Sequence, residues 1–224
     1  MKKHSLLLIL FTLSSVTGIL SQNKVSFGIE VTPSVIWSSS NIKNTKSAGA
    51  AVGIGYGIAY MQMVTENWGY SSGITMNHYP YKITYNSNFN FETYDSLYQN
   101  IPAGATVEYK IQGLNIPLGL LFRSRQIGYT KIVGEAGLLA GYNIKTKIDI
   151  EAVGVEGETA KKEIKPVTAG YYFGAGIHYS LGGSTAVKCV LSFSSGLTDL
   201  TNDRNHRDDI VTSHRVGLSL GVLF

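Results

Sequence analysis

Four charged side chains stand out from segments that otherwise carry almost no charge: Glu30, Glu135, Lys188 and Arg215. Each lies in a run where large apolar residues alternate with small or polar ones, and each falls on the small-residue side. Charges enclosed in a narrow space must pair, because an isolated buried charge costs more than a fold can supply. The pattern implies an internal ion-pair network plugging an enclosed lumen, with a proton or solute path as the sharper alternative. His178 and Ser180 form a second candidate constellation. A serine–histidine pair becomes nucleophilic when a carboxylate orients the imidazole. The next apolar segment, Thr185 to Leu197, offers Lys188 but no Asp or Glu. Alternation also turns His178 inward, away from any lipid substrate. No catalytic residue is assigned, and the chain is not expected to be an enzyme.

Other groupings carry weaker chemistry. Asp199, Asp203, His206, Asp208 and Asp209 crowd one segment and could attract a divalent cation, but no spacing there matches a known cage. Gly53, Gly55 and Gly57 have the wrong spacing for a dinucleotide fingerprint, and no helix pattern follows them. The single cysteine, Cys189, excludes an intramolecular disulfide and sits on the apolar side of its run, as a small hydrophobe. Tyr85, Phe89, Phe91, Tyr94 and Tyr98 concentrate aromatic rings in one polar stretch. If exposed, they form a contact loop for protein, glycan or lipopolysaccharide; otherwise they pack onto the structure beneath. No cofactor or metal is expected.

The elements that must hold these residues are strands. The last segment sets Val216, Leu218, Leu220, Val222 and Phe224 against Arg215, Gly217, Ser219 and Gly221. Seven further segments alternate in the same way: Val25 to Thr32, Val52 to Tyr60, about Trp68 to Ile83, Leu114 to Phe122, Glu135 to Tyr142, Gly170 to Ser180, and Val187 to Ser194. In a soluble sandwich the inward face would be the bulky one. Here bulk is opposed by glycine and serine, which suits a narrow transmembrane barrel with lipid outside and a crowded lumen within. Charged residues are 15% of the chain against about 25% in soluble domains, and the mean hydropathy is only +0.06. That combination fits alternating strands better than membrane helices.

Connection lengths support the same topology. Ser38–Ser47, Thr84–Ala105, Lys145–Val167 and Asp199–Asp209 are long; Thr65–Asn67, Arg123–Gly128 and Gly182–Ser184 are short. Short periplasmic turns and long outer loops are the rule for outer-membrane barrels. Girdle aromatics are expected at Trp68, Phe122, Tyr129, Tyr179 and Phe224 on the periplasmic side, and at Trp37, Tyr142 and Tyr171 on the outer side. Lys2, Lys3 and an apolar stretch from Ser5 to Leu20 read as a secretory leader, cleaved after Ser21. The expected organisation is a signal peptide over 1–21 and an all-β domain over 22–224, an antiparallel up-and-down transmembrane barrel of eight strands. With a formal charge of +4 over the whole chain, nucleic acid is not an expected partner; outer-membrane lipid is.

Several stretches resemble the PorT-like outer-membrane β-barrel proteins of Bacteroidota. They are Gly28 to Val35 (GIEVTPSV), Leu114 to Phe122 (LNIPLGLLF), Glu135 to Tyr142 (EAGLLAGY), Phe173 to Tyr179 (FGAGIHY), Ser192 to Leu200 (SFSSGLTDL) and Leu218 to Phe224 (LSLGVLF). Ser194 and Ser195 stand where that family often has aromatics. The resemblance implies an outer-membrane location and a structural or assembly role, with a secretion-system or other envelope protein as partner. It also implies that Leu218, Leu220, Val222 and Phe224 form the signal read by the barrel assembly machinery. The alternative is a stand-alone barrel whose long outer loops bind a ligand or surface, as an adhesin or receptor does.

Overall fold

The computed structural model describes residues 25–40, 45–93, 96–160, 164–201 and 210–224. The expected leader over 1–21 lies outside these residues. The strands are β1 (Val25–Ser40), β2 (Thr45–Ser47), β3 (Ala51–Met63), β4 (Trp68–Tyr85), β5 (Phe89–Glu92), β6 (Leu97–Ile101), β7 (Thr106–Arg123), β8 (Thr130–Ile150), β9 (Val155–Thr159), β10 (Val167–Gly182), β11 (Thr185–Gly196) and β12 (Val211–Leu223). Ten of them share one sheet, and β5 pairs with β6 in a separate hairpin. Within the large sheet β2 and β9 are short additions. The other eight run antiparallel from β1 through β3, β4, β7, β8, β10 and β11 to β12, which pairs back onto β1. The all-β, eight-stranded closed barrel is thus present. Closure matters physically, since lipid leaves no water to satisfy an open sheet edge. At the seam, the Phe27 and Phe224 backbones exchange hydrogen bonds of 3.2 and 2.7 Å.

Alternation sorts the side chains as lipid requires. Phe27, Ile29, Val52, Ile58, Ile74, Leu118, Leu138, Phe173 and Leu191 all point outward and are more than half exposed. The lumen receives small groups, and backbones approach closely there. A Cβ at Gly57 would collide with the carbonyl of Ile74, and one at Gly137 with the carbonyl of Leu118. At the end bearing the termini the connections are short. Thr65 accepts hydrogen bonds from the Asn67 and Trp68 N–H groups in one turn, and Gly182 and Gly183 take positive φ in another.

The opposite end differs from expectation. The stretches expected as long loops at Thr84–Ala105 and Lys145–Val167 are largely ordered: β8 continues to Ile150, β5 and β6 form a hairpin, and β7 already begins at Thr106. Beyond the lipid-facing rows the sense of alternation inverts. On β4, Tyr79, Tyr81, Ile83 and Tyr85 point inward and are buried, while Lys82 faces out. On β7, Val107, Tyr109 and Ile111 are inward. On β8 the extra residue Ile144 forms a bulge opposite Gln112 and Gly113, so that Asn143 below and Thr146, Ile148 and Ile150 above it all face the interior. Outside the bilayer, water bathes the outer surface, so the apolar residues move within and build a core of their own. That core gathers Ile36, Phe89, Phe91, Ile101, Val155, Ile164, Leu200 and Val211 around the extended strands.

Candidate functional site: a filled lumen beneath an aromatic cap

Three layers fill the barrel. Nearest the termini, Met61, Met63, Leu121, Val133, Val190 and Leu223 pack into an apolar plug. Above it lies a polar layer in which Lys188 Nζ sits 3.1 Å from Glu30 Oε2 and 3.2 Å from Glu135 Oε1. The side chains of Lys188, Glu30 and Glu135 retain only 6%, 12% and 8% of their accessibility, so solvent does little to screen them. Their strands, β1, β8 and β11, are not adjacent in the sheet; the three side chains meet across the lumen. Tyr172 reaches into the same layer and shares a 3.1 Å hydrogen bond with Ser71. Thr32 and Ser219 pair at 3.0 Å.

Arg215 does not join this ion-pair cluster. Its guanidinium lies toward the cap, donating to Ser194 Oγ, Asn77 Oδ1 and the Tyr79 hydroxyl at 3.2 Å each, with Cζ 5.5 Å from the Tyr79 ring centre. Asn115 also donates to the Tyr79 hydroxyl. The sequence places Arg215 among the lumen charges; the structure gives it neutral partners in a separate layer. Alternation fixes which face a residue takes, but not which layer it meets across the barrel. Asn77 and Tyr79 therefore could not be identified beforehand as partners of Arg215.

The third layer is the cap, and here the aromatic stretch takes the packed one of its two expected arrangements. Tyr85, Phe89 and Phe91 are 4%, 7% and 0% exposed. Tyr85 and Phe89 are 4.3 Å apart between ring centres, and Tyr85 shares a 2.8 Å hydrogen bond with Tyr109. Tyr98 is half-buried and donates to Glu158 Oε1 at 2.6 Å. These rings close the barrel mouth instead of offering themselves to a partner; burying them is worth more than leaving them in water. Tyr94 lies outside the described residues.

The remaining candidates are placed as follows. His178 is buried on the lumen side, and the residues opposite it on the neighbouring strands are Lys188 and Lys131, neither a carboxylate. Asp199 pairs with Lys165 at 2.9 Å and accepts the N–H groups of Thr201 and Val211, which ties down the base of its loop. Asp203, His206, Asp208 and Asp209 lie outside the described residues. Cys189 is a free thiol, half-exposed on the lipid side. Leu218, Leu220 and Phe224 face outward along the closing strand.

The empty space left in the lumen is small. One cavity of about 60 Å³ lies beside Arg215 and Tyr79, and one of about 70 Å³ is lined by Glu30, Glu135 and Lys188; each has room for a few waters. Ligand pockets run to about 300–1,000 Å³, several times the volume of either cavity.

The aromatic belts set the position in the bilayer. Tyr56, Met76, Leu114 and Tyr142 form one outward row, and Trp68 faces Phe122 eight residues further along β7. At about 3.4 Å per residue and a tilt near 40° this spans roughly 20 Å, close to the apolar band of such barrels. Tyr129 and Tyr179, 6.1 Å apart, continue the lower belt.

Known structures of similar architecture include Neisserial surface protein A, with 11% identity, a TM-score of 0.48, and coverage of 91% of this chain and 98% of that one. The attachment invasion locus protein Ail of Yersinia pestis, solved with the heparin analogue sucrose octasulfate, shows 15% identity and a TM-score of 0.44 over 90% and 99% of the two chains. OprG of Pseudomonas aeruginosa gives 12% identity and 0.45 over 89% and 95%. None of the curated proteins matches the sequence. Residues 15–202 match the family model described as outer membrane protein beta-barrel domain, which spans most of the chain. With the barrel closed, its belts in place and its lumen filled, this chain is an outer-membrane protein belonging to the outer membrane protein beta-barrel domain family.

Proposed function

We propose that this is a non-conducting barrel that displays an ordered extension on the cell surface, where the extension binds a ligand or another surface. One observation carries the reading: the lumen is closed by its own side chains, while β4, β7 and β8 run well past the outer belt and enclose a second apolar core. A pore would keep the lumen open; here the structure is built up outside the membrane instead. The contacts belong to the outward polar face of the extension and its hairpin, since the aromatic rings are spent on packing. No chemistry is assigned to His178 or Ser180, and the protein acts by binding. The test is adherence of bacteria with and without the gene to glycan-coated and protein-coated surfaces, before and after surface proteolysis. Adherence that requires the gene and disappears on shaving supports the reading; indifference to both sinks it.

A second reading rests on the six stretches that resemble PorT-like proteins: an assembly subunit of a secretion machine, with the extension as its docking face. Tagged protein purified from solubilised outer membranes would then carry a stoichiometric envelope partner. In either case the outward face of β12, ending at Phe224, serves the assembly machinery. Phe224→Ala should lower the yield of folded barrel in cells while leaving refolding in detergent unaffected.

A further inference from the structure

The outer face of β4, β7 and β8 changes character over successive cross-strand rows. Met76, Leu114 and Tyr142 make the last lipid-facing row. Above them come His78, Gln112 and Lys145, then Pro80, Lys110 and Lys147, then Lys82, Glu108 and Asp149. A groove of about 570 Å³ opens on this face. It exists because β3 stops pairing with β4 at Ile54 and His78, while β4 runs on to Tyr85. The β3 side of the groove is apolar, with Val52 77% and Ile54 48% exposed; the β7 and β8 side carries Lys110, Lys145 and Lys147.

Lys110 and Lys147 face each other directly across β7 and β8, a placement that costs stability. Asp149 pairs with Lys110, and Glu108 with Lys82 at 3.4 Å. Among the described residues no carboxylate pairs with Lys145 or Lys147. Three ammonium groups thus stand one to two rows above the outer tyrosine belt, at the depth of lipid headgroups, across the groove from an apolar wall.

We infer that this groove binds a phosphorylated lipid of the outer leaflet. Its phosphate lies among Lys110, Lys145 and Lys147, and an acyl chain runs along Val52 and Ile54. Lysine is a compact point charge suited to phosphate. A soluble anion would use only the lysines and a neutral lipid only the apolar wall, so a phosphorylated lipid alone uses both. The inference is independent of what the extension contacts.

The test titrates the folded protein in detergent with bis-phosphorylated lipid A and with the same lipid stripped of phosphate, counting bound lipids by native mass spectrometry. Wild type should prefer the phosphorylated form by about tenfold or more, and inorganic phosphate should not displace it. The K110Q/K145Q/K147Q variant and the single reversal Lys145→Glu should both weaken that preference, while Arg125→Gln at the opposite rim keeps it. A heat-dependent shift in gel mobility certifies that each variant is folded. Equal binding of the two lipids by wild type, a preference untouched in both folded lysine variants, or displacement by inorganic phosphate would each overturn the assignment.

Discussion

Lys188 holds two carboxylates that have nowhere else to turn, and the structure makes the consequence of losing it asymmetric. Lys188→Met leaves Glu30 and Glu135 facing each other in an interior with little room for water, which should cost about 3–5 kcal/mol. Neutralising all three, as Glu30→Gln, Glu135→Gln and Lys188→Met together, should restore most of that loss. Urea unfolding of refolded barrels measures both; equal destabilisation in the single and triple variants would contradict the pairing. Outside the membrane, Asp149 supplies a pH dependence. Burial favours its neutral form, yet hydrogen bonds from Lys110 and the Gly157 N–H hold its carboxyl below the ordinary 3.8. A depressed pKa stabilises above the ordinary value and stops doing so as pH falls through the folded one. The corner formed by β7, β8 and β9 should therefore loosen below about pH 4. Asp149→Asn should be loose there already at pH 7. Amide exchange at 145–160 reads both effects, and pH-independent protection in wild type would refute them. At this scale the inward direction of Glu30, Glu135, Lys188 and Arg215 was legible from parity alone. The split of Arg215 from the other three was not, because it depends on how far each strand is staggered around the wall.

The elements were legible only as far as lipid enforces one rule. Between the belts, large residues must face out, and seven of the eight segments announced themselves by that rule; the more polar stretch about Trp68 to Ile83 did so less clearly. Past Leu114 on β7 and Tyr142 on β8 the rule reverses, with Val107, Tyr109, Ile148 and Ile150 inward, and the bulge at Ile144 shifts the parity of β8. A reading tuned to one sense of alternation takes such stretches for loops. The hairpin of β5 and β6 was hidden for a related reason: Phe89 and Phe91 look like exposed loop aromatics until the extended strands supply a core to receive them. Phe91→Ala should cost about 3–5 kcal/mol locally, because Phe91 is fully buried. Limited proteolysis should then cut within 86–105 while the gel shift of the intact barrel persists. Loss of that shift would mean that cap and barrel form one cooperative unit.

At the scale of the molecule, two cores are stacked along one barrel. The lower is closed by ions and small residues within the membrane, the upper by aromatic rings outside it. Strand number, closure and the alternation of short and long connections could be read from the sequence, since each follows from spanning a bilayer with paired backbones. The role of the extension could not, because its outward residues carry the mixed charge of any solvated surface and name no partner. Among the described residues, the two cavities at the arginine and charged layers are only about 60 and 70 Å³, room for a few waters. The most direct measurement is the conductance of the purified barrel in a planar lipid bilayer. The filled lumen predicts a quiet membrane with no stable open level; a large steady conductance from folded protein would contradict it.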